Sequence, residues 1–205
     1  GWKTIGWVCW GDTYGVPEVK KIESGCMVYF IHRGLYREDM GFKKTSDIIA
    51  ISFRVNETAA NTYTQEQIAL QLDVLNNEIF VVLAADLNPS QPELITGTPT
   101  EVQAAITSTS QATMASLDLS NTIAVASQSI ATDALNAVSF TRTAEESISG
   151  NVDYISLIST NNFFVAVQGT GNTALKTLTG RVWGYRAKAD GATYAALVQS
   201  EVLSA

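Results

Sequence analysis

The chain has 205 residues, of which 46% are hydrophobic and 16% charged, and its net charge is −7. A chain this long can bury about 70% of the surface it exposes when unfolded, so it needs no disulfide or metal to hold a core. The acidic balance argues against nucleic-acid binding by the chain as a whole, because neutralising phosphates takes clustered Lys and Arg.

The charged fraction lies below the roughly 25% typical of soluble domains, so the surface must be uncharged polar instead. Thr, Ser, Asn, Gln and Ala fill it, and β-branched Thr favours a pleated surface. A surface of this kind suits contact with copies of itself, because little charge has to be desolvated. Charge is also uneven. Residues 1–45 hold 7 of the 13 Lys and Arg against 5 acids, a balance of +2. Residues 46–205 hold the other 6 against 15, a balance of −9. The chain begins at Gly1, so an upstream segment is expected to have been removed or left out, and a basic arm that meets nucleic acid could lie there.

In chain order, residues 1–45 read as an N-terminal extension or arm-like subelement, with strands expected at Thr4–Trp10 and Cys26–His32. Trp2, Trp7 and Trp10 are candidates for an inter-subunit arm; with Tyr14 they could instead form a sugar-stacking platform. Cys9 and Cys26 fit either one disulfide or two buried thiols. Met40 is an alternative natural start. Gly1 to Trp10 has neither the basic start nor the apolar stretch of a secretory signal, and no run approaches 18 apolar residues, so no membrane span is expected.

Residues 46–205 read as the main domain. The dominant period is two, the strand signature. Along Gln67–Val74 the apolar Ile68, Leu70, Leu72 and Val74 share a face. Glu78–Leu87 is almost continuously apolar, as in a strand buried on both faces. Asn76-Asn77 marks a tight turn before it. Further strands are expected at Asp47–Val55, Glu101–Ser108, Thr122–Ser129, Ala137–Thr143, Tyr154–Ser159, Phe163–Gln168 and Leu175–Lys188. Asn161-Asn162 and Gly169-Thr170-Gly171-Asn172 have hairpin chemistry. Pro17, Pro89, Pro92 and Pro99 are placed in loops. A short C-terminal helix is expected over Ala192–Leu203, with Tyr194, Leu197, Val198 and Val202 in one stripe; a strand is the alternative. A second helix is expected at Gln111–Leu117.

No catalytic, metal or cofactor site is expected. Gly169-x-Gly171-x-x-Ala174 matches a dinucleotide fingerprint, but that chemistry needs a helix N-terminus to meet the pyrophosphate, and a strand-like run follows. His32 is the only histidine, so a nucleophile–histidine pair has one place to form, and it sits in a strand-like run. Glu145-Glu146 read as a solvated loop. Arg181, Trp183, Tyr185, Arg186 and Lys188 lie on one strand and are candidate nucleic-acid or interface contacts; 181, 183 and 185 point one way, 186 and 188 the other.

These elements predict an all-β fold, an antiparallel sandwich of jelly-roll type with an N-terminal extension. Stretches such as Asn77-Glu78-Ile79-Phe80-Val81-Val82 and Gly180-Arg181-Val182-Trp183-Gly184-Tyr185-Arg186 give residues 46–190 a character that resembles small viral coat proteins with a single jelly roll. The resemblance implies a self-assembling coat subunit that partners copies of itself within a virion. The basic arm many such coats use on their genome is not visible. An extracellular filament, adhesin or phage tail component, and a carbohydrate-binding sandwich, are the alternatives.

Overall fold

The structure, a computed structural model, describes residues 20–21, 27–28, 41–142 and 153–203. Residues 1–40 and 41–205 form two compact units. In the first, β1 (Lys20–Lys21) pairs antiparallel with β2 (Met27–Val28). The expected strand Thr4–Trp10, Cys9, Cys26, His32, the three N-terminal tryptophans and Glu145-Glu146 lie outside the described residues.

Among the described residues the second unit carries ten strands and one α-helix: β3 (Phe42–Lys44), β4 (Ile49–Asn56), β5 (Thr64–Ala69), β6 (Glu78–Pro89), β7 (Thr100–Thr107), β8 (Thr122–Thr132), β9 (Ala137–Arg142), β10 (Ser156–Ile158), β11 (Asn162–Thr170), β12 (Thr177–Ala189) and α1 (Gly191–Leu203). All pairings among these strands are antiparallel. One sheet runs β4-β12-β6-β10, with β3 continuing the β4 side of β12, and the other runs β5-β11-β7-β8-β9. Eight of these strands, β4 to β8 and β10 to β12, therefore make two four-stranded sheets in jelly-roll order, with β9 added at one edge. Phe42–Lys44, read with the N-terminal extension, pair here with Ala187–Ala189 of β12.

The main core fills the space between the sheets. Phe53 and Val55 of β4, Phe80, Val82, Ala85 and Leu87 of β6, and Leu178 and Val182 of β12 meet Val102, Ala104 and Ile106 of β7 and Phe163, Val165 and Val167 of β11. Alternation delivers these residues to one side, as a period of two requires. β6 breaks the alternation for a visible reason. Trp183 pairs with Ala84 and Gly184 with Val82, so Leu83 is an extra residue. The bulge flips the phase. Val82 and Phe80 face the core before it, Ala85 and Leu87 after it. Ile79 and Val81 instead join Ala187 and Ala189 in a second apolar cluster on the outer face, with Phe42, Tyr154, Leu157, Tyr185, Tyr194 and Leu197 around it. The continuous apolar run of β6 thus serves two cores.

The tail is helical, and its start is fixed by Asp190. The carboxylate accepts the Thr193 amide (2.7 Å) and the Thr193 hydroxyl (3.1 Å), satisfying an orphan N–H of the first turn. The stripe facing the sheet is shifted from the expectation. Tyr194 and Leu197 pack on the outer cluster, Glu201 is buried, and Val202 is 69% exposed. Positions 194, 197, 198 and 201 are the i, i+3, i+4, i+7 set, so the helix phase selects Glu201 over Val202.

Three other expectations are corrected. Residues 111–117 contain no helix. Their polar groups bond elsewhere: the Gln111 amide donates to Gln65 (2.9 Å), and the Ser116 carbonyl accepts the Thr122 hydroxyl (2.8 Å). β5 ends at Ala69; Gln71 takes φ 53°, and Val74 turns out to solvent in a short 3-10 turn closed by Asn77 at φ 56°. The side chains of Leu70 and Leu72 are still buried, as alternation predicts. Pro89 is the last residue of β6, not a loop residue.

Candidate functional site

The cation–aromatic residues of β12 do not form one surface. Leu178, Gly180, Val182 and Gly184 face the core, so Arg181, Trp183 and Tyr185 point outward. Cross-strand registry places Ser52 and Asp86 on either side of Arg181, and Ala50 and Ala84 on either side of Trp183. The small alanines leave the indole room to lie along the sheet. The Arg181 guanidinium sits over the Trp183 ring at 5.7 Å and its Nε donates to the Ser52 hydroxyl at 3.0 Å. Lys44 lies 5.0 Å from the Tyr185 ring centroid on the same face. Tyr185 itself is half-buried at the outer apolar cluster.

Arg186 points the other way. Its guanidinium donates to the carbonyls of Leu70 (2.9 Å) and Gln71 (3.2 Å) and pairs with Glu78 at 3.6 Å. It therefore fastens the β5–β6 connection and is not available as a contact. Lys188 lies on its side of the strand, opposite Lys43. The open part of the expected site reduces to Arg181 and Trp183, with Lys44 and Tyr185 beside them. This pair can take a planar or anionic group of a neighbour, but too few cations line up to track a phosphate chain.

A second polar cluster, missed in the sequence, ties the ends of four strands together. Glu57 is 3% exposed and accepts the amides of Gly169 (2.6 Å) and Lys176 (2.7 Å). Lys176 is 6% exposed; its ammonium reaches Glu93 at 3.1 Å and the Gln91 carbonyl at 3.3 Å. The Thr173 hydroxyl, the Thr173 and Ala174 amides and Lys176 all donate to Glu93, and they hold its carboxyl down to about 2. Asn172 is clamped by Asn61 in both directions, at 2.8 and 2.7 Å. In the glycine fingerprint the amides of Gly169, Thr173 and Ala174 are therefore taken by carboxylates of the same chain, and that of Asn172 by Asn61. β12 follows it and no helix does, so the fingerprint is a turn. At Gly171, φ is 71° and an added Cβ would lie 2.5 Å from the Pro99 carbonyl oxygen. Acidic side chains just after β4 and before β7 were the available signal, but pairing them with residues 169–176 needs the tertiary fold.

Among the described residues, no group of three or more His, Cys, Asp or Glu is placed to hold a metal ion, and no helix is long and apolar enough to cross a membrane.

The third feature is the β9 edge of the β5-β11-β7-β8-β9 sheet. All six residues of β9 are exposed, Val138 to 53% and Phe140 to 60%, and Leu135 in the preceding turn to 92%. Phe140 pairs with Ser129 and forms one wall of a shallow groove with Thr100, Glu101, Ser129, Ala131 and Thr170.

No protein-family model matches the chain, and no curated protein matches it. Among solved structures, a chain of Desmodium yellow mottle tymovirus is similar over 70% of this chain and 89% of that one, at 14% identity and a TM-score of 0.30.

Proposed function

We propose that the chain is a structural subunit that assembles with copies of itself into a shell, as a virion coat protein does. The observation that carries the reading is a jelly roll in which the β5-β11-β7-β8-β9 sheet ends in a wholly exposed strand with Val138 and Phe140 on its surface. Large exposed apolar side chains at a sheet edge are costly in a monomer and useful in an assembly. The charge-poor composition supports it, because burying Ser, Thr, Gln and Ala surfaces against a neighbour desolvates few ions. The reading assigns the chain no reaction and no cofactor. It makes copies of the chain the principal partner and leaves contact with nucleic acid to a basic segment separate from the main domain.

Negative-stain electron microscopy of the full chain, with light scattering alongside, tests this. Closed particles of uniform diameter are expected. Filaments would replace the shell by a fibre or tail component, and a monodisperse monomer at high concentration would overturn assembly altogether.

A further inference from the structure

We propose that β9 is a self-pairing edge: two copies join β9 to β9 antiparallel about a two-fold axis, so that one sheet continues through both molecules. The proposal deepens the self-assembly reading and rests on it.

Among the described residues β9 pairs on one side only, with β8. Its other side therefore offers a row of backbone donors and acceptors. Monomers usually blunt such an edge with Pro, Lys or a bulge. Ala137–Arg142 contain neither Pro nor Lys, and the β8–β9 register runs without a shift.

The side chains favour a second copy as the occupant. Phe140 pairs with Ser129, and Ser129 pairs with Glu101, so Val138, Phe140 and Arg142 share the outer face of the sheet. A two-fold axis through the sheet keeps both outer faces on one side, so opposed residues must have the same orientation. The register centred on Ser139 meets this condition. It sets Val138 against Phe140 of the second copy, twice over, and a β-branched residue opposite an aromatic is a favourable cross-strand pair.

The charges complete the fit. The same register places Arg142 opposite Asn136 of the second copy. Asn136 belongs to the turn built on Asp133, whose carboxylate accepts the amides of Leu135 and Asn136 at 2.7 Å each. Those bonds hold Asp133 below the usual carboxylate range, so it is ionised near neutral pH. Each copy thus carries an anion at one end of β9 and a cation at the other, and antiparallel pairing brings unlike charges together at both ends. A parallel arrangement would bring like charges together.

The test is sedimentation velocity on the full chain over a concentration series. Phe140→Lys and Val138→Lys are each expected to weaken self-association by about tenfold or more, while Leu75→Lys, at a site 96% exposed in the turn before β6, leaves it unchanged. Arg142→Glu should weaken it, and adding Asn136→Lys should restore it, because 142 meets 136 only between copies. Thermal melts by circular dichroism check that each variant folds, and Val138→Lys carries the test if Phe140→Lys does not. Wild-type association that survives both lysine substitutions overturns the β9 contact and leaves the assembly reading standing. A wild-type chain that stays monomeric at every concentration overturns both. Failure of the double variant to recover overturns the register centred on Ser139.

Discussion

Glu57 shows what a single buried carboxylate does in this fold. It stands just after β4, yet its two oxygens hold the amides of Gly169 and Lys176, more than a hundred residues away. Removing it strands two buried donors. Each such loss costs about 1–3 kcal/mol, so Glu57→Ala is expected to cost about 3 kcal/mol and lower Tm by about 6–12 °C, read by thermal melting. The glycines separate in the same way. At Gly184, opposite the β6 bulge, an added Cβ would collide with the Val81 carbonyl oxygen and lie 2.6 Å from the Phe80 ring. At Gly191, at the start of α1, it would meet open space. Gly184→Ala is expected to destabilise by about 3 kcal/mol or more through overpacking, and Gly191→Ala to be neutral or stabilising by about 0.5–1 kcal/mol. Urea midpoints of the two variants distinguish these outcomes. The sequence shows both positions as Gly and does not say which one is packed.

At the scale of elements, α1 is the informative case. A helix over the tail was legible from its apolar spacing, but the buried position 201 is a glutamate. The Ser159 amide (3.2 Å) and hydroxyl (2.7 Å) donate to its carboxylate. Burial pushes the Glu201 carboxyl up, against the lowering effect of those two bonds. A raised folded value means that the docked helix favours the protonated form. Its stabilising contribution is full below the ordinary carboxylate range and is lost as pH rises through the raised folded value. Hydrogen exchange of the α1 amides should therefore quicken, beyond the intrinsic rate increase, as pH climbs through that window. Glu201→Gln is expected to remove the excess and leave α1 docked; an unchanged profile in the variant would show that another group sets it. β6 makes the complementary point. Its long apolar run announced burial on both faces, but the bulge at Leu83, which divides the run between two cores, has no marker in the sequence.

For the whole molecule, most neighbours in the sheets are distant in the chain. β4 pairs with β12, β5 with β11, and β6 with β10 and β12. Loop closure must come before these contacts can form, so refolding is expected on a timescale of about milliseconds to seconds or slower. Stopped-flow tryptophan fluorescence after dilution from urea measures it, and microsecond refolding would contradict the topology. The same arrangement explains why the expected hairpins fail as hairpins. β10 and β11 flank Asn161, and β11 and β12 flank the Gly169–Asn172 turn, yet in each case the two strands lie in different sheets. Turn residues fix where the chain reverses, and they act locally; which strand it meets next depends on which apolar faces must cover each other.

The sequence by itself determined the all-β class, the places of most strands and turns in residues 46–190, the division of Arg181, Trp183 and Tyr185 from Arg186 and Lys188 across β12, and the helical spacing of the tail. Period and turn chemistry act over a few residues, and they can be read there. Only the tertiary structure decided the order of strands in the two sheets, which face of β12 turns inward, the carboxylate clamp on residues 169–176 and, among the described residues, the one-sided pairing of β9. Each of these depends on contacts between segments far apart in the chain, where pairing is set by the burial of whole faces.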